Sequence, residues 1–364
     1  MKSPAKSNPA CPLSQTAPRL SASLCAPVGV GPVWPFLNNC ITIGLGESAE
    51  FIELGGKGMI TEPLSVGFLG LGRIGSGIAS SIQKAGYPLV VYNRTQQKMQ
   101  SLVASGATAA RSPREAAAGD IVVTCLMDDA SVLENLVGEN GILAGLRPGA
   151  IHIGTSTVTP KATTHFAKLH AEHGSHYLAA TFAGHPEHAA AGKLMSFVAG
   201  DPPIIERSRP VLESYNAKLL VLGDKPALAA SFKLVVNFFA ACLLETMGEA
   251  FTFAEKQGVN AETLSSMIKD LLQHPAMPKY IEKIRTRSFE GVLGSTLDGV
   301  GSKDLRLITE TAAEFRVPLP FASVVRDKII AAQAYGLGEC DWSVFTEIAR
   351  LNAGQEPLQR VRTA

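Results

Sequence analysis

The stretch at residues 64–95 constrains the fold most, because a glycine-rich turn separates two apolar runs there. The first run leads into Gly70-Leu71-Gly72-Arg73-Ile74-Gly75, and a predicted helix at 76–85 precedes the second run, Leu89-Val90-Val91-Tyr92. In such a strand-turn-helix-strand unit the first glycine permits a tight turn, the second lets the backbone approach a pyrophosphate, and the third lets helix and strand pack closely. The helix N-terminus would offer free N–H groups to phosphates. The pattern predicts a dinucleotide site, with an ordinary glycine-rich turn as the alternative.

The residues after the second run indicate which dinucleotide is bound. An Asp or Glu at this place usually accepts hydrogen bonds from the ribose 2′-hydroxyl of NAD, whereas a nearby Arg accommodates the 2′-phosphate of NADP. The sequence has Asn93-Arg94-Thr95, which supplies donors and a cation but no acid. NADP is therefore the predicted cofactor, and NAD stays open if Arg94 only points into solvent.

Composition limits the classes of partner. The 364 residues suffice for two domains, and 46% of them are hydrophobic. The 33 basic and 32 acidic side chains give a net charge of +1, which argues against binding to nucleic acid or to an anionic membrane surface. No uninterrupted apolar run reaches the length of a bilayer span, so no membrane segment is expected. The six cysteines include no CxxC pair, and we expect reduced thiols and a cytoplasmic protein.

Residues 1–63 differ in composition from the rest of the chain. They are rich in Pro, Ser, Ala and Gly, show neither helical nor strand periodicity, and contain no acid before Glu47. We interpret them as a disordered extension or as sequence upstream of the true start, since Met59 lies just before the first predicted strand. An organelle transit peptide is the alternative, but six prolines from Pro9 to Pro35 would break the amphipathic helix that it needs.

The body of the chain changes character near Pro226. Before it, predicted helices alternate with apolar runs at 121–126, 151–154, 196–200 and 219–223, which is the pattern of a doubly wound sheet. After it, residues 227–256 form a long predicted helix that is apolar around most of its circumference and must be buried. The sequence predicts an α/β fold, with a Rossmann-type doubly wound sheet at 64–225 followed by an all-α domain at 226–354 on this long connecting helix and a tail at 355–364. The apolar helix also predicts a homodimer or a higher homo-oligomer.

A set of motifs from residue 64 to about residue 354 resembles one known family. The motifs are Gly67-Phe68-Leu69-Gly70-Leu71-Gly72, Asn93-Arg94-Thr95, Ser156-Thr157-Val158-Thr159-Pro160, Lys233 with Asn237, and Lys303-Asp304-Leu305. In order and approximate spacing the chain is similar to the β-hydroxyacid dehydrogenases, the group that includes 3-hydroxyisobutyrate dehydrogenase, tartronate semialdehyde reductase and the NADP-binding part of 6-phosphogluconate dehydrogenase. The resemblance implies an NAD(P)-dependent dehydrogenase or reductase that acts on the CH–OH group of a small-molecule substrate.

The resemblance implies that Lys233 is the catalytic acid/base and that Asn237 helps to hold the substrate. The two residues are four apart, so they lie one turn from each other on one helix face. An ammonium in that place can donate a proton to a carbonyl oxygen as negative charge builds there. A lysine within an apolar stretch is costly, which favours a functional role over a side chain that merely reaches solvent at a domain edge.

The family pattern also implies which residues contact the cofactor. Leu126 and Met127 would line the nicotinamide ribose, Thr157 would contact the cofactor, and Lys303 would close over it from the helical domain, although a Lys303–Asp304 surface pair is the alternative. The full set of predicted cofactor residues is Gly70, Leu71, Gly72, Arg73, Ile74, Asn93, Arg94, Thr95, Leu126, Met127, Ser131, Thr157 and Lys303.

The sequence departs from the family where the substrate is expected to bind. Relatives usually carry Ser-Gly-Gly there and grip a carboxylate with it, whereas this chain has Ala183-Gly184-His185. These three are the predicted substrate-binding residues, and backbone N–H groups before a helix starting near Pro186 could still bind an anion. Gly154 also stands where an acid is common. The departures favour a bulkier or non-carboxylate carbonyl substrate.

Five histidines between His170 and His188 suggest a metal site at first sight. Only Glu172 and Glu187 are local carboxylates, and Gly174 is expected to end a helix between His173 and His176. We therefore expect surface histidines near helix ends and no metal.

Two other functions compete with the main hypothesis. An imine reductase is one, but these enzymes generally lack the lysine at position 233. The other is a cofactor-bound scaffold or sensor without turnover, which Ala183 favours.

Overall fold

The computed structural model describes residues 50–53, 64–290 and 295–357. Its core is a nine-stranded sheet, and the helical region follows it in the chain. The strands are Glu50–Glu53 (β1), Val66–Leu69 (β2), Leu89–Tyr92 (β3), Thr108–Ala109 (β4), Ile121–Thr124 (β5), Ile151–Gly154 (β6), His176–Ala183 (β7), Leu194–Ala199 (β8) and Asn216–Val221 (β9).

The strand order is β1-β9-β8-β7-β6-β5-β2-β3-β4. All neighbours are parallel except the antiparallel pairs β7–β8 and β1–β9. The carboxyl ends of β2, β3, β5, β6 and β7 therefore share one edge of the sheet. The chain reverses its direction across the sheet between β2 and β5, and ligands of open α/β sheets bind at the strand ends beside such a reversal. The predicted Rossmann-type sheet is confirmed.

The helices cover both faces of the sheet and then form the carboxyl-terminal region. They are Arg73–Lys84 (α1), Gln100–Ala104 (α2), Pro113–Ala116 (α3), Asp129–Leu136 (α4), Ile142–Gly145 (α5), Pro160–His173 (α6), Pro186–Ala190 (α7), Pro202–Glu213 (α8), Ala227–Lys256 (α9), Ala261–Gln273 (α10), Ala276–Thr286 (α11), Ser302–Glu314 (α12), Pro320–Ala334 (α13) and Glu347–Asn352 (α14).

Alternating side chains of the strands supply one apolar layer on each face of the sheet. Phe68 packs with Ile78 of α1 in the first layer, and Leu69 packs in the second layer, which also holds Phe166 of α6 and Ala229 of α9. Strands that are covered by helices on both faces have sequences that are almost continuously apolar. This burial explains why the sequence pattern located most of the sheet.

The amino-terminal prediction needs one correction. Residues 1–63 were predicted to be an extension without strand structure, but Glu50–Glu53 forms β1, whose Phe51 pairs with Leu220 of β9. This edge strand has only four residues, which is too short for a clear alternating pattern. Its backbone pairs with β9, which lies far along the chain. The other residues of that extension lie outside the described part of the chain.

The helical region has its own apolar cluster, in which Leu297 and Leu305 pack against Ile329 of α13 and Val344. Two ion pairs brace it, Lys283–Asp341 at 2.5 Å and Arg287–Glu347 at 2.6 Å. Both carboxylates are almost fully buried, so loss of either cation would leave an uncompensated charge. The predicted all-α region on a long connecting helix is confirmed, and α11 is a helix that the sequence analysis did not identify.

Helix α9 buries little of its surface within one chain. Val235, Phe238, Phe239 and Leu244 are each more than 60% exposed. By length and composition alone, α9 could also cross a membrane, which the sequence analysis did not expect. The core helix of an oligomer passes the same test, so this feature by itself does not indicate a membrane.

Candidate functional site

The glycine turn has the close backbone approaches that its sequence predicts. Gly70 has φ +98°, and a Cβ there would lie 2.2 Å from the carbonyl oxygen of Cys125. A Cβ on Gly75 would lie 2.0 Å from the carbonyl oxygen of Gly70. Both positions therefore require glycine for the packing of the protein itself.

Gly72 is different, because a Cβ there would meet no protein atom within 4 Å. It is the N-cap of α1, and neither a capping side chain nor an acidic residue occupies the first turn of that helix. The N–H groups of the first turn and the open space above Gly72 fit a pyrophosphate. Arg73 is exposed and Ile74 is half-buried beside this space.

The side chain of Asn93 forms its hydrogen bonds with the backbone around the glycine turn and the end of β3. Its side-chain oxygen accepts a hydrogen bond from the backbone N–H of Leu71 at 2.9 Å, and its amide nitrogen donates to the carbonyl of Thr95 at 2.9 Å. Asn93 was expected to donate to a 2′-phosphate, but these bonds leave its side chain with one N–H for that purpose. Arg94 and Thr95 are exposed at the end of β3.

Side chains at the ends of β5 and β6 tie the next two strands together. The backbone N–H of Leu126 donates to Oγ of Ser156 at 2.8 Å, and Thr155 donates from both its N–H and its hydroxyl to the carbonyl of Thr124. Met127 is 84% exposed at this edge. This role of Ser156 could not be predicted from the sequence, because Ser156 and Leu126 are 30 residues apart and meet only when β5 and β6 pair.

Two other predicted cofactor residues, Thr157 and Ser131, differ in how available their side chains are to a ligand. Thr157 is exposed between buried neighbours at the end of β6, with its side chain available to a ligand. Ser131 donates from its N–H to Asp128 at 2.8 Å, and its hydroxyl is bonded to the same carboxylate. Ser131 therefore serves first as part of the cap of α4.

Helix α9 carries Lys233 toward the same edge of the sheet. The helix begins at Ala227, four residues after Gly223, whose carbonyl accepts a hydrogen bond from the N–H of Gly200. In the first turn of α9 the carbonyl of Ala229 accepts from the hydroxyl of Thr181 at 3.0 Å. Lys233 lies one helical turn of about 6 Å beyond Ala229. Its place beside the carboxyl end of β7 stays a prediction.

The environment of Lys233 is partly dry. The residue is half-buried, and burial lowers the pKa of its amine below the ordinary lysine value. A lowered pKa makes the neutral amine accessible, so the group can both donate and accept a proton. Asn237 is exposed one turn further along α9. Lys233 and Asn237 remain the predicted catalytic residues.

The substrate loop joins β7 to α7. Gly184 and His185 are exposed there, and Ala183 is half-buried. The backbone N–H of His185 donates to Nδ1 of His188 at 3.0 Å, and Pro186 has no N–H. Two of the backbone N–H groups that were expected to bind an anion before α7 are therefore not available.

Gly154 is the second departure from the family pattern, and the structure explains it. A Cβ on Gly154 would lie 2.1 Å from the hydroxyl oxygen of Tyr177. The tyrosine fills the volume that a larger residue at position 154 would need. Burial raises the pKa of this hydroxyl above its ordinary value, so it stays protonated.

Lys303 lies on the surface of the helical region. It is exposed near the start of α12 and forms an ion pair with Asp304 at 3.0 Å. The surface pair that the sequence analysis considered is therefore present, and closure of Lys303 over the cofactor stays a prediction.

The histidine prediction was wrong for His170. His170 is fully buried, and its Nε2 is bonded to Nδ1 of His152 at 2.9 Å. The other end of each ring is bonded to a hydroxyl, Nε2 of His152 to Thr124 at 2.8 Å and Nδ1 of His170 to Ser175 at 2.9 Å. Desolvation lowers the pKa of His152 well below its ordinary value and that of His170 to about 3, so both rings are neutral.

Gly174 ends α6 in the left-handed conformation, as predicted, and His173 beyond the buried pair is exposed. Over residues 64–290 and 295–357, no group of three or more His, Cys, Asp or Glu side chains is arranged to hold a metal ion.

Two family models match the chain in succession. The NAD-binding domain of 6-phosphogluconate dehydrogenase matches residues 65–223. The NAD-binding domain of NADP-dependent 3-hydroxyisobutyrate dehydrogenase matches residues 228–349. The order of the two models is the order of the sheet and the helical region.

Relatives and solved structures agree with these matches. The chain is 34% identical over 283 residues to the oxidoreductase YfjR of Bacillus subtilis, covering 78% of this chain and 98% of that one. It is 30% identical to 2-(hydroxymethyl)glutarate dehydrogenase of Eubacterium barkeri over 78% of this chain and 94% of the relative. Its fold is similar to that of an imine reductase from Myxococcus stipitatus in complex with NADP⁺, with a TM-score of 0.71 at 19% identity over 78% of this chain and 99% of that structure. The chain therefore belongs to the β-hydroxyacid dehydrogenase family and is a nicotinamide-dependent oxidoreductase.

Proposed function

We propose that this oxidoreductase interconverts a hydroxyl and a carbonyl group on a small molecule, uses NADP(H), and relies on Lys233 as its acid/base. The observation that supports the proposal most is the half-buried state of Lys233, since burial lowers the pKa of its amine. Lys233 stands one turn beyond Ala229, the residue through which α9 is hydrogen-bonded to Thr181 of β7.

The predicted site residues have distinct tasks in the reaction. The nicotinamide supplies or takes the hydride when it is bound. In reduction, the ammonium of Lys233 donates a proton to the carbonyl oxygen as negative charge develops on it. In oxidation, the neutral amine, which burial makes accessible, accepts the proton of the hydroxyl. Asn237, one turn away on the same face, orients the substrate through its side-chain amide.

Arg94 supports the choice of NADP over NAD. It is exposed beyond β3, and no carboxylate stands in the segment 93–95 where a ribose 2′-hydroxyl is usually bound. Because one N–H of Asn93 is already used by Thr95, the guanidinium is the main group available to a 2′-phosphate.

The exposed face of α9 supports an oligomer. Val235, Phe238, Phe239 and Leu244 would be covered if a second copy packed its own α9 region against them. We also propose a cytoplasmic location and no binding to nucleic acid or membrane, on the balanced charge of +1 and on the lack of a CxxC pair among the six cysteines of the sequence.

The direct test is consumption of NADPH by the purified full chain with a panel of short aldehydes, keto acids and cyclic imines. We expect turnover of at least one carbonyl compound and a loss of about 100-fold or more in kcat for Lys233→Met. Lys225→Met, an exposed lysine just before α9, is the matched control and should leave kcat unchanged. Turnover of imines alone would favour an imine reductase, and tight NADPH binding without turnover would favour a scaffold or sensor.

A further inference from the structure

The part of the chain that forms β2, β3 and β4 contains no acidic residue. Residues 63–114 include neither Asp nor Glu, and they include six basic residues, which are Arg73, Lys84, Arg94, Lys98, Arg111 and Arg114. The whole chain is balanced, with 33 basic and 32 acidic side chains, so positive charge is concentrated in this stretch. A local excess of one sign of charge attracts ligands of the opposite sign.

Four of these six cations stand at the carboxyl ends of the strands. They follow the glycine turn, β3 and β4 in the chain, and they are Arg73, Arg94, Lys98 and Arg111. All four are exposed. Within the part of the chain that the structure describes, none of the four forms an ion pair. Repulsion among such cations is relieved when an anion binds between them.

The backbone at Arg111 is fixed from two sides. On one side β4 pairs in parallel with β3, with Ala109 opposite Val91, and the N–H of Ala110 donates to the carbonyl of Val91 at 2.9 Å. On the other side the N–H of Arg111 donates to the carboxylate of Glu115 in α3 at 2.8 Å. This bond uses the backbone of Arg111, so its guanidinium stays available to a ligand.

The register of β3 and β4 brings Arg111 beside the segment that follows β3. Two residues after the Ala109–Val91 pair, Arg111 is level with Asn93, and Arg94 is the next residue along. Neighbouring strands lie about 4.8 Å apart, which is less than the length of an extended arginine side chain. Since β4 is the edge strand, Arg111 flanks this segment from the outer side of the sheet and can reach an anion that Arg94 holds.

A 2′-phosphate can use a second arginine. It carries close to two negative charges at neutral pH and has three acceptor oxygens. One guanidinium donates two parallel hydrogen bonds to a phosphate, and one N–H of Asn93 is already used by Thr95. A second guanidinium would satisfy the remaining oxygen and the second charge. The ribose 2′-hydroxyl of NAD carries no charge and would gain little from it.

We propose that Arg111 is a second specificity-determining residue for NADP(H) and binds the 2′-phosphate together with Arg94. The inference rests on the proposed function, and it assigns a residue that lies outside the segment 93–95. It depends on the fixed backbone of Arg111 beside that segment and on a guanidinium without an ion pair among the described residues.

The test compares two ligands that differ by the 2′-phosphate alone, adenosine 2′,5′-bisphosphate and adenosine 5′-monophosphate. Calorimetry on the purified full chain at about pH 8 gives both Kd values, and turnover plays no part because neither ligand contains a nicotinamide. We expect Arg111→Gln to raise the Kd of the bisphosphate by about tenfold, ~1.4 kcal/mol, and to leave the Kd of the monophosphate within about twofold. Arg111→Lys, which keeps the charge without the paired donors, should lie between.

Lys84→Gln is the matched control. It removes the same charge at the far end of α1 and should change neither Kd. Because the Arg111 side chain is exposed, its variants should unfold at the wild-type temperature. An unchanged ratio of the two Kd values in Arg111→Gln would overturn the inference and leave the proposed function intact. An equal loss for both ligands would also overturn it, since Arg111 would then act on another part of the nucleotide. A wild type that binds both ligands equally would instead contradict the use of NADP(H).

Discussion

The backbone N–H of Leu71 donates a hydrogen bond of 2.9 Å to the side-chain oxygen of Asn93. This bond joins the glycine turn to the end of β3, so the part of the site that would hold the pyrophosphate and the part that would hold the adenosine ribose are fixed relative to each other. The same side chain also fixes Thr95, through a donor bond of 2.9 Å to its carbonyl. Asn93 therefore shapes the cofactor site from within.

Cofactor preference should respond to Asn93→Asp. The carboxylate can still accept from Leu71, but it adds negative charge where a 2′-phosphate would lie and can accept from a ribose 2′-hydroxyl. We expect the ratio of kcat/KM for NADPH to that for NADH to fall by at least about tenfold, roughly 1.4 kcal/mol. Lys84→Ser, at the opposite end of α1, is the control for a change of charge. A ratio that is unchanged in Asn93→Asp would contradict the assignment of NADP to this loop.

Substitutions at two of the three glycines of the turn, Gly72 and Gly75, should separate an effect on cofactor binding from an effect on stability. A Cβ on Gly72 meets no protein atom, so Gly72→Ala should keep its free energy of unfolding within about 1 kcal/mol. The same methyl group fills the space for the pyrophosphate, and the Kd for NADPH should rise by at least about tenfold. For Gly75→Ala the free energy of unfolding should instead fall by about 1–3 kcal/mol, because the new Cβ would lie 2.0 Å from the carbonyl oxygen of Gly70. Urea titration and calorimetry measure the two effects, and equal losses of affinity and stability in Gly72→Ala would argue against the pyrophosphate site.

The buried histidine pair should make the protein sensitive to acid. His170 has a pKa of about 3 in the folded chain, whereas an unfolded histidine titrates near 6.5. The unfolded state therefore binds more protons between these values, so stability is complete above pH 6.5 and falls as the pH drops toward 3. At pH 5 the loss from His170 alone is about 2 kcal/mol.

The neighbours of His170 contribute to this effect, since His173, His176 and His152 all face it and Tyr177 packs beside it. His170→Gln keeps a polar side chain without the titration. It should show a smaller drop in urea midpoint between pH 7.5 and pH 5 than the wild type. His165→Gln, exposed on the same helix, is the control. An identical drop in His170→Gln would show that other groups cause the acid sensitivity.

The exposed face of α9 should hold two copies together. Phe239→Asp places a charge at a side chain that is 67% exposed in one chain, and we expect it to shift the sedimentation coefficient toward that of a monomer. Val103→Asp, on α2 in the nucleotide domain and 40% exposed, should not do so. A wild-type protein that sediments as a monomer would refute the proposed oligomer.

The sequence predicts those features that depend on local pattern. The turn has a fixed spacing of glycines, at Gly70, Gly72 and Gly75, and each glycine has a set task. The turn, the sheet and the sheet edge beside the turn could therefore be predicted from the sequence. Lys233 was identified by resemblance and by the cost of a lysine in an apolar helix. Its partial burial depends on how α9 packs along β7, which the sequence does not encode locally.

Features made by distant partners were missed. His152 and His170 are 18 residues apart and meet only because β6 and α6 pack together, whereas the spacing of His170, His173 and His176 suggested a surface helix end. The hydrogen bond from the His185 N–H to Nδ1 of His188 depends on the ring orientation of His188, which no sequence pattern indicates. Glu50–Glu53 was missed because its pairing partner, β9, lies far along the chain.

The central claim is that the Lys233 amine exchanges a proton with the substrate, and the pH dependence of kcat tests it most directly. Because burial lowers the pKa of this amine and reduction needs its protonated form, kcat for carbonyl reduction at saturating NADPH should fall as the pH rises through a value below the ordinary lysine pKa. Lys233→Met should be slower by about 100-fold or more, with that pH dependence lost. A Lys233→Met variant with the wild-type rate and the wild-type pH profile would contradict the account.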